Sequence, residues 1–228
     1  MTYKELIYMC LDELKLISDD ALFTEEHVLF LLNKYRIFLL KQRYSDIKKP
    51  IPESNYQTIC LDLTQVPAIT GDLCDGGFYL RSVQKIPHLM KIGNPQIFPI
   101  DYYQGNITYI SRERMRYVGH NKYLRNIIYV SLGPDKYLYF KSINPQHLYL
   151  NKVRMIGVFE DTQEASNLQC SDDADAQCDI YDRIFPLEES LVPPLIELVV
   201  KELSGVEYRP NDENNNSKDD LSNVSTKQ

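Results

Sequence analysis

Apolar residues recur every three or four positions at the start of the chain. Tyr3, Leu6, Ile7, Cys10, Leu11, Leu14 and Ile17 share one face, which predicts an amphipathic helix over residues 3–17. Ser18, Asp19 and Asp20 interrupt that spacing. Thr24 is then a good N-cap for a second helix over 25–44, with Glu25 and Glu26 at its positive end and Lys41 and Arg43 at its negative end. The run Val28-Leu29-Phe30-Leu31-Leu32 is apolar nearly all round, so this helix is expected to be buried on more than one side. Prolines 50 and 52 stop it.

From residue 56 to about 160 the period changes to that of strands. YQTICLDL, NITYIS, NIIYVSL, KYLYFKS and VRMIGVF are short β-branched and aromatic runs separated by proline, glycine and asparagine. Gly133-Pro134-Asp135 lies between two of them and predicts a hairpin turn. Most of the tyrosines fall in this region. Tyrosine gives a strand an apolar body with a polar tip, which suits a sheet face that another subunit covers. The glycine-rich stretch 70–78 reads as a loop, and 160–180 as a short helix near Gln163–Leu168 followed by an acidic loop.

Toward the end, FPLEESLVPPLIELVVKELSG predicts a short turn at 187–192 and then a helix from Pro193 to Leu203, the whole closing element spanning 187–204. Leu195, Ile196, Val199, Val200 and Leu203 form its stripe, and Gly205 is placed to end it. After Tyr208 the composition turns almost wholly polar and cannot build a core. The pattern therefore predicts an α+β fold. N-terminal helices and a C-terminal helix pack with a tyrosine-rich, mainly antiparallel β region in one unit over 1–205, and an extended arm follows over 206–228.

Composition changes this picture little. With 228 residues, 43% of them hydrophobic, the chain can bury a sizeable core without metal or disulfide staples. The formal net charge of -7 speaks against a general nucleic-acid binder, which needs basic surface to displace counterions, though not against a wall past which DNA slides. Cys10, Cys60, Cys74, Cys170 and Cys178 are odd in number and form no CxxC pair, so reduced thiols are expected. The first residues carry acids and no basic run, unlike a signal peptide, and no apolar run is long enough for a membrane span.

Candidate chemistry is sparse. His27, His88, His120 and His147 lie in separate segments with no metal-ligand spacing. The acidic run 170–179 lacks the glycine and the terminal glutamate of a calcium loop. No phosphate-binding loop or nucleophile motif is present, so no catalytic residue, metal or cofactor is assigned. Arg112, Arg114 and Arg116 alternate and would line one face of a strand, either as a row of salt bridges or as a contact to DNA or an acidic partner. They are the candidate partner-binding residues, together with Tyr208, Arg209 and Pro210 at the root of the arm.

Two N-terminal helices, a tyrosine-rich β region and a closing helix resemble the head-to-tail adaptor, or tail tubular, proteins of short-tailed bacteriophages, most closely the ring proteins of crAss-like phages. Phe185, Pro186, Leu187, Leu191, Pro193, Leu195, Ile196, Val199, Val200, Lys201 and Glu202 carry the resemblance, with DALFTEEHVLFLLNKYRIFLLKQRY near the start. It implies a non-enzymatic virion protein, assembled in the host cytoplasm. It further implies a ring of about twelve identical subunits beneath the portal protein, touching adjacent tail or ring proteins, with DNA passing through the lumen to be ejected. An acidic lumen wall and an arm reaching a neighbour are the corresponding expectations for this chain. The competing reading is a binding module that recruits a protein through its apolar C-terminal helix.

Overall fold

In the computed structural model, described over residues 1–17, 23–45, 49–67, 78–100, 106–115, 117–118, 122–124, 126–170 and 179–207, a helical bundle sits beside a rolled sheet. Helix α1 spans Tyr3–Ile17, α2 spans Glu25–Arg43 and α5 spans Val192–Glu207. Short helices α3 (Arg112–Met115) and α4 (Thr162–Ser166) lie in the β region. The strands are β1 (Gln57–Pro67), β2 (Phe78–Ser82), β3 (Gln96–Pro99), β4 (Asn106–Tyr109), β5 (Ile127–Leu132), β6 (Leu138–Lys141) and β7 (Lys152–Gly157).

Local sequence accounts for the helix starts. Thr2 and Glu5 form a reciprocal cap on α1: the Glu5 N–H donates to Thr2 Oγ1 at 3.2 Å and the Thr2 N–H to Glu5 Oε2 at 2.8 Å. Thr24 caps α2 as predicted, and Asp161 caps α4 by accepting from the amides of Gln163 and Glu164. Pro193 and Pro194 occupy the first turn of α5, where no intrahelical donor is needed. Gly205 does not end α5, which continues to Glu207. A glycine at a helix end stops it only when the chain there turns left-handed, and spacing alone does not decide that.

The sheet order is β3-β7-β1-β2-β6-β5-β4. All neighbours pair antiparallel except β4 and β5, which run parallel with Ile107 opposite Ile128. The long β1 holds the sheet together: Gln57–Asp62 pair with β7 and Leu63–Pro67 with β2. The outer strands β3 and β4 return alongside each other, so the sheet rolls toward a barrel. Every strand sends apolar side chains inward, among them Ile59, Leu80, Ile97, Ile107, Val130, Phe140 and Met155. Gly133 to Lys136 form the expected β5–β6 turn, and Lys136 takes the left-handed φ of 66° that it requires. Strands β2 and β3 lack marked apolar runs. β3 ends on Pro99, which an edge strand tolerates because one side of it needs no ladder donor.

A second core joins α1, α2 and α5 to the segment before α5. There Tyr3 meets Phe185 edge-on with ring centroids 5.0 Å apart, and the Tyr3 amide donates to the Arg183 carbonyl. A third, smaller cluster lies on the outer face of the sheet, where Tyr79, Tyr129 and Tyr139 pack with Met115 of α3. The strand tyrosines expected to wait for another subunit are thus covered by the chain's own crossover between β4 and β5. Among the described residues, the most exposed tyrosines of this region, Tyr117, Tyr123 and Tyr149, lie in connections.

Candidate functional site

A buried arginine is one of the links between the bundle and the barrel, beside the Lys41–Glu160 pair and the Thr162–Asn33 hydrogen bond. Arg36 sits mid-α2 with no exposed surface. Its Nε donates to the Pro186 carbonyl at 2.8 Å, one terminal nitrogen to the Phe159 carbonyl at 2.8 Å, and the other to the Asn55 carbonyl at 3.4 Å. These carbonyls belong to the segment before α5, the chain just past β7 and the entry to β1. Loss of water around the guanidinium pulls its pKa down to about 10, so it stays charged at neutral pH. Asn55 extends the network, accepting from the Glu188 amide at 3.0 Å. The nearly buried Glu188 carboxylate in turn takes bonds from Tyr44, Arg43 and Ser190. The arrangement ties together segments that lead into both cores.

The same helix presents an apolar outer face. Val28, Leu29, Leu31 and Leu32 are buried as the run predicted, but Phe30 is 65% exposed and Phe38 54%. Phe30 borders a groove of about 760 Å³ between α2 and the loop joining β7 to α4. Leu29 and Ile37 line its floor, and Glu26, Glu160 and Asp161 bring carboxylates to it. Lys34 lies there too but is held by Glu202 of α5 at 2.8 Å, and Glu160 binds Lys41 at 2.9 Å and His88 at 3.1 Å. The exposed phenylalanines escape a reading by periodicity because the whole run is apolar.

Glu202 ties α5 to α2, accepting from Lys34 and from the Tyr35 hydroxyl. The Lys34 bond, then the Tyr35 bond, hold its carboxyl below the usual range. Its contribution to stability is therefore present above the unfolded value and lost as pH falls through the folded one. The bond to Glu202 pushes the Tyr35 hydroxyl up to about 12, so its share is complete below pH ~10 and lost as pH rises toward 12. Glu202→Gln is expected to cost under about 1 kcal/mol, because the pair is partly exposed, and to flatten both flanks of the stability–pH curve in urea titrations. Unchanged flanks would show that the cluster carries no linkage.

The predicted partner-binding arginines are not a strand row. Arg112 and Arg114 lie on α3, where positions two apart point to opposite sides, and Arg114 is exposed while Arg112 is half-buried. The β4-to-β5 crossover imposes this turn despite the alternating pattern, because Met115 must reach the outer sheet cluster. Arg116, Tyr208, Arg209, Pro210, the stretch 70–77 and the acidic loop 171–178 lie outside the described residues. The apolar stripe of α5 is not a recruiting surface: Leu195, Ile196, Val199, Val200 and Leu203 are all at most 8% exposed inside the chain's own core.

The cysteines also differ from expectation. Cys60 and Cys170 form a disulfide, with Cα atoms 5.0 Å apart and a sequence separation of 110. Cys60 points out of the barrel, between inward Ile59 and Leu61, and meets the chain where it leaves α4. The Cys60 amide also donates to the Leu168 carbonyl at 2.8 Å. Cys10 is a free buried thiol whose pKa desolvation raises to about 12, while Cys74 and Cys178 lie outside the described residues. Tertiary proximity across a long loop leaves no mark in cysteine spacing. Among the described residues no group of three or more His, Cys, Asp or Glu side chains is placed to hold a metal ion, and no helix is long and apolar enough to cross a membrane.

Comparison with known proteins adds what geometry cannot. A family model described as phage tail ring protein 2 matches residues 5–221. Ring protein 2 of Bacteroides phage crAss001 is 65% identical over 221 residues, covering 97% of this chain and 98% of that protein. Both matches reach well past the end of α5, into the polar arm.

Proposed function

The chain belongs to the tail ring protein 2 family of crAss-like phages, a structural component of the virion tail, and from that premise we propose that it forms a ring in the head-to-tail connector beneath the portal and continues the DNA channel. Residues 1–205 act as one adaptor domain and 206–228 as an arm. The observation that carries this reading is the family match over residues 5–221, which takes in most of the arm as well as both cores. A ring of identical subunits, about twelve in this reading, uses head-to-tail contacts between two different surfaces of each copy. Rigid coupling of the bundle to the barrel through Arg36 suits that use, since a ring closes only if each subunit holds one angle. The acidic balance of the chain suits a lumen that DNA crosses without adhering. The protein catalyses no reaction, takes no cofactor, and assembles in the host cytoplasm before entering the virion.

The competing module reading has lost its docking surface, because the stripe of α5 is used up in the core. Class averages of the chain with its portal and flanking tail proteins test the ring reading. A closed ring on the portal axis supports it, and a persistent monomer in that mixture refutes it. A predominantly basic lumen would refute the acidic-wall part alone.

The arm makes a separate prediction. Deleting residues 209–228 is expected to weaken ring assembly at least tenfold while moving the monomer's melting temperature by less than about 2 °C, since polar tails bury little of their own core. A large fall in monomer stability would place the arm in the fold instead.

A further inference from the structure

Within the ring reading just given, we propose that the groove beside α2 is the receiving half of the subunit–subunit contact and that the β4-to-β5 crossover of a second copy of this chain is the inserting half. Three observations point to that pairing.

The groove is apolar at its floor and acidic at its rim. Phe30 stands 65% exposed beside Leu29 and Ile37, and Phe38 continues the apolar face along α2 at 54%. Single exposed apolar residues are ordinary, but an exposed phenylalanine bordering a groove, with a second one further along the same helix, is what a covered face looks like before its partner arrives. Lys34 is bound by Glu202, Glu160 is bound by Lys41 and His88, and Asp161 caps α4, so Glu26 is the carboxylate at the groove on which the pairing relies.

The crossover carries the opposite chemistry on a separate part of the fold. Tyr117 is 81% exposed, Tyr123 82% and Leu124 40%, and Arg114 on α3 is exposed beside them in the chain. Tyrosine and arginine are the residues that most often anchor an interface, because each combines a large flat contact with a directional polar end. Aromatic tips would enter the groove against Phe30, while the Arg114 guanidinium meets Glu26 at the rim.

The two surfaces belong to different cores, α2 to the helical bundle and the crossover to the outer sheet cluster. A closed ring needs one surface of each kind on every copy, whereas two-fold pairing would need one surface that fits itself.

Complementation tests the pairing. Phe30→Asp disables the groove and leaves the crossover intact. Arg114→Glu with Tyr117→Asp disables the crossover and leaves the groove intact. Both variants change exposed positions, so melting temperatures within about 2 °C of wild type establish that they fold. Light scattering is measured on the full chain with its portal and flanking tail proteins. Wild type is expected to close rings, and each variant alone is expected to lose at least nine-tenths of them. A mixture of the two variants is expected to give one-to-one dimers, joined by the one intact groove and the one intact crossover, but no rings. Rings of normal yield from either variant alone, or a mixture without dimers while wild type forms rings, overturns the pairing. Absence of rings from wild type overturns the ring reading itself, a separate outcome.

Discussion

Replacing Arg36 by leucine is expected to lower the unfolding free energy by about 3–5 kcal/mol, measured by urea denaturation of the full chain. The sign needs argument, because exchanging a buried ion pair for apolar residues of similar volume is often neutral or stabilising. That outcome depends on both partners leaving together. Here the partners are the backbone carbonyls of Pro186, Phe159 and Asn55, which no side-chain substitution removes. Leucine would leave three buried acceptors without donors, and its smaller volume would leave space where the guanidinium lay. Lysine should rescue less than half of the loss, since a single ammonium cannot span acceptors arranged around a planar fork. A contrast is Arg43→Ala, which removes a half-exposed partner of Glu188 and is expected to cost about 1 kcal/mol or less. A loss under ~1 kcal/mol for Arg36→Leu would mean that other contacts hold the bundle to the barrel. Ring assembly should fail at temperatures where the variant monomer is still folded, because the angle between the two cores is set there.

The second large effect concerns the Cys60–Cys170 bond. Cys60→Ser or Cys170→Ser is expected to cost about 2–5 kcal/mol, or roughly 5–15 °C in melting temperature for a chain of this size. The bond spans 110 residues, so in the chain-entropy account it restricts the unfolded state strongly. Dithiothreitol should reproduce the loss in wild type and do nothing further to either variant. Thiol titration of the denatured, non-reduced protein should find two fewer free thiols than the five cysteines of the sequence. Five free thiols would show that the bond does not form. Reduced thiols were expected on the premise of a cytoplasmic chain. A virion protein also spends time outside the reducing cytoplasm, where disulfides persist. Loss of the bond should free the segment that leaves α4 more than it affects α1 or α5, which belong to the other core.

The starts of the three long helices were legible because their causes are local, whereas the end of α5 was not. A cap at Thr24, the prolines that open α5 and the apolar face of α1 lie within a few residues of what they determine. The five apolar runs of the middle all became strands, and Gly133-Pro134-Asp135 became a turn, because alternation and turn chemistry are also short-range. The closing segment FPL and LVPPLIELVVKEL was legible for a different reason. Most of its apolar residues are held by the core, as Phe185, Leu187, Leu191 and Leu195 show, so its pattern is dense enough to resemble a family.

What escaped was set at long range. Arg36 looks in the sequence like any charged residue on a helix, and its burial exists only because carbonyls from three distant segments converge on it. Phe30 lies in an unbroken apolar run, so only the packing of α5 and α1 decides which side of α2 is left outside. Arg112 and Arg114 alternate like a strand, but the parallel step from β4 to β5 demands a crossover, and Met115 anchors it as a helical turn. Cys60 and Cys170 meet because β1 and the exit of α4 are neighbours in space. The sequence alone therefore determined an α+β chain with helices at both ends, since periodicity and capping act within a few residues, while the virion role came from the resemblance to a phage family and the family match. Only the tertiary structure decided which residues weld its two cores and which face remains for a neighbour, since those depend on groups more than a hundred residues apart along the chain coming into contact.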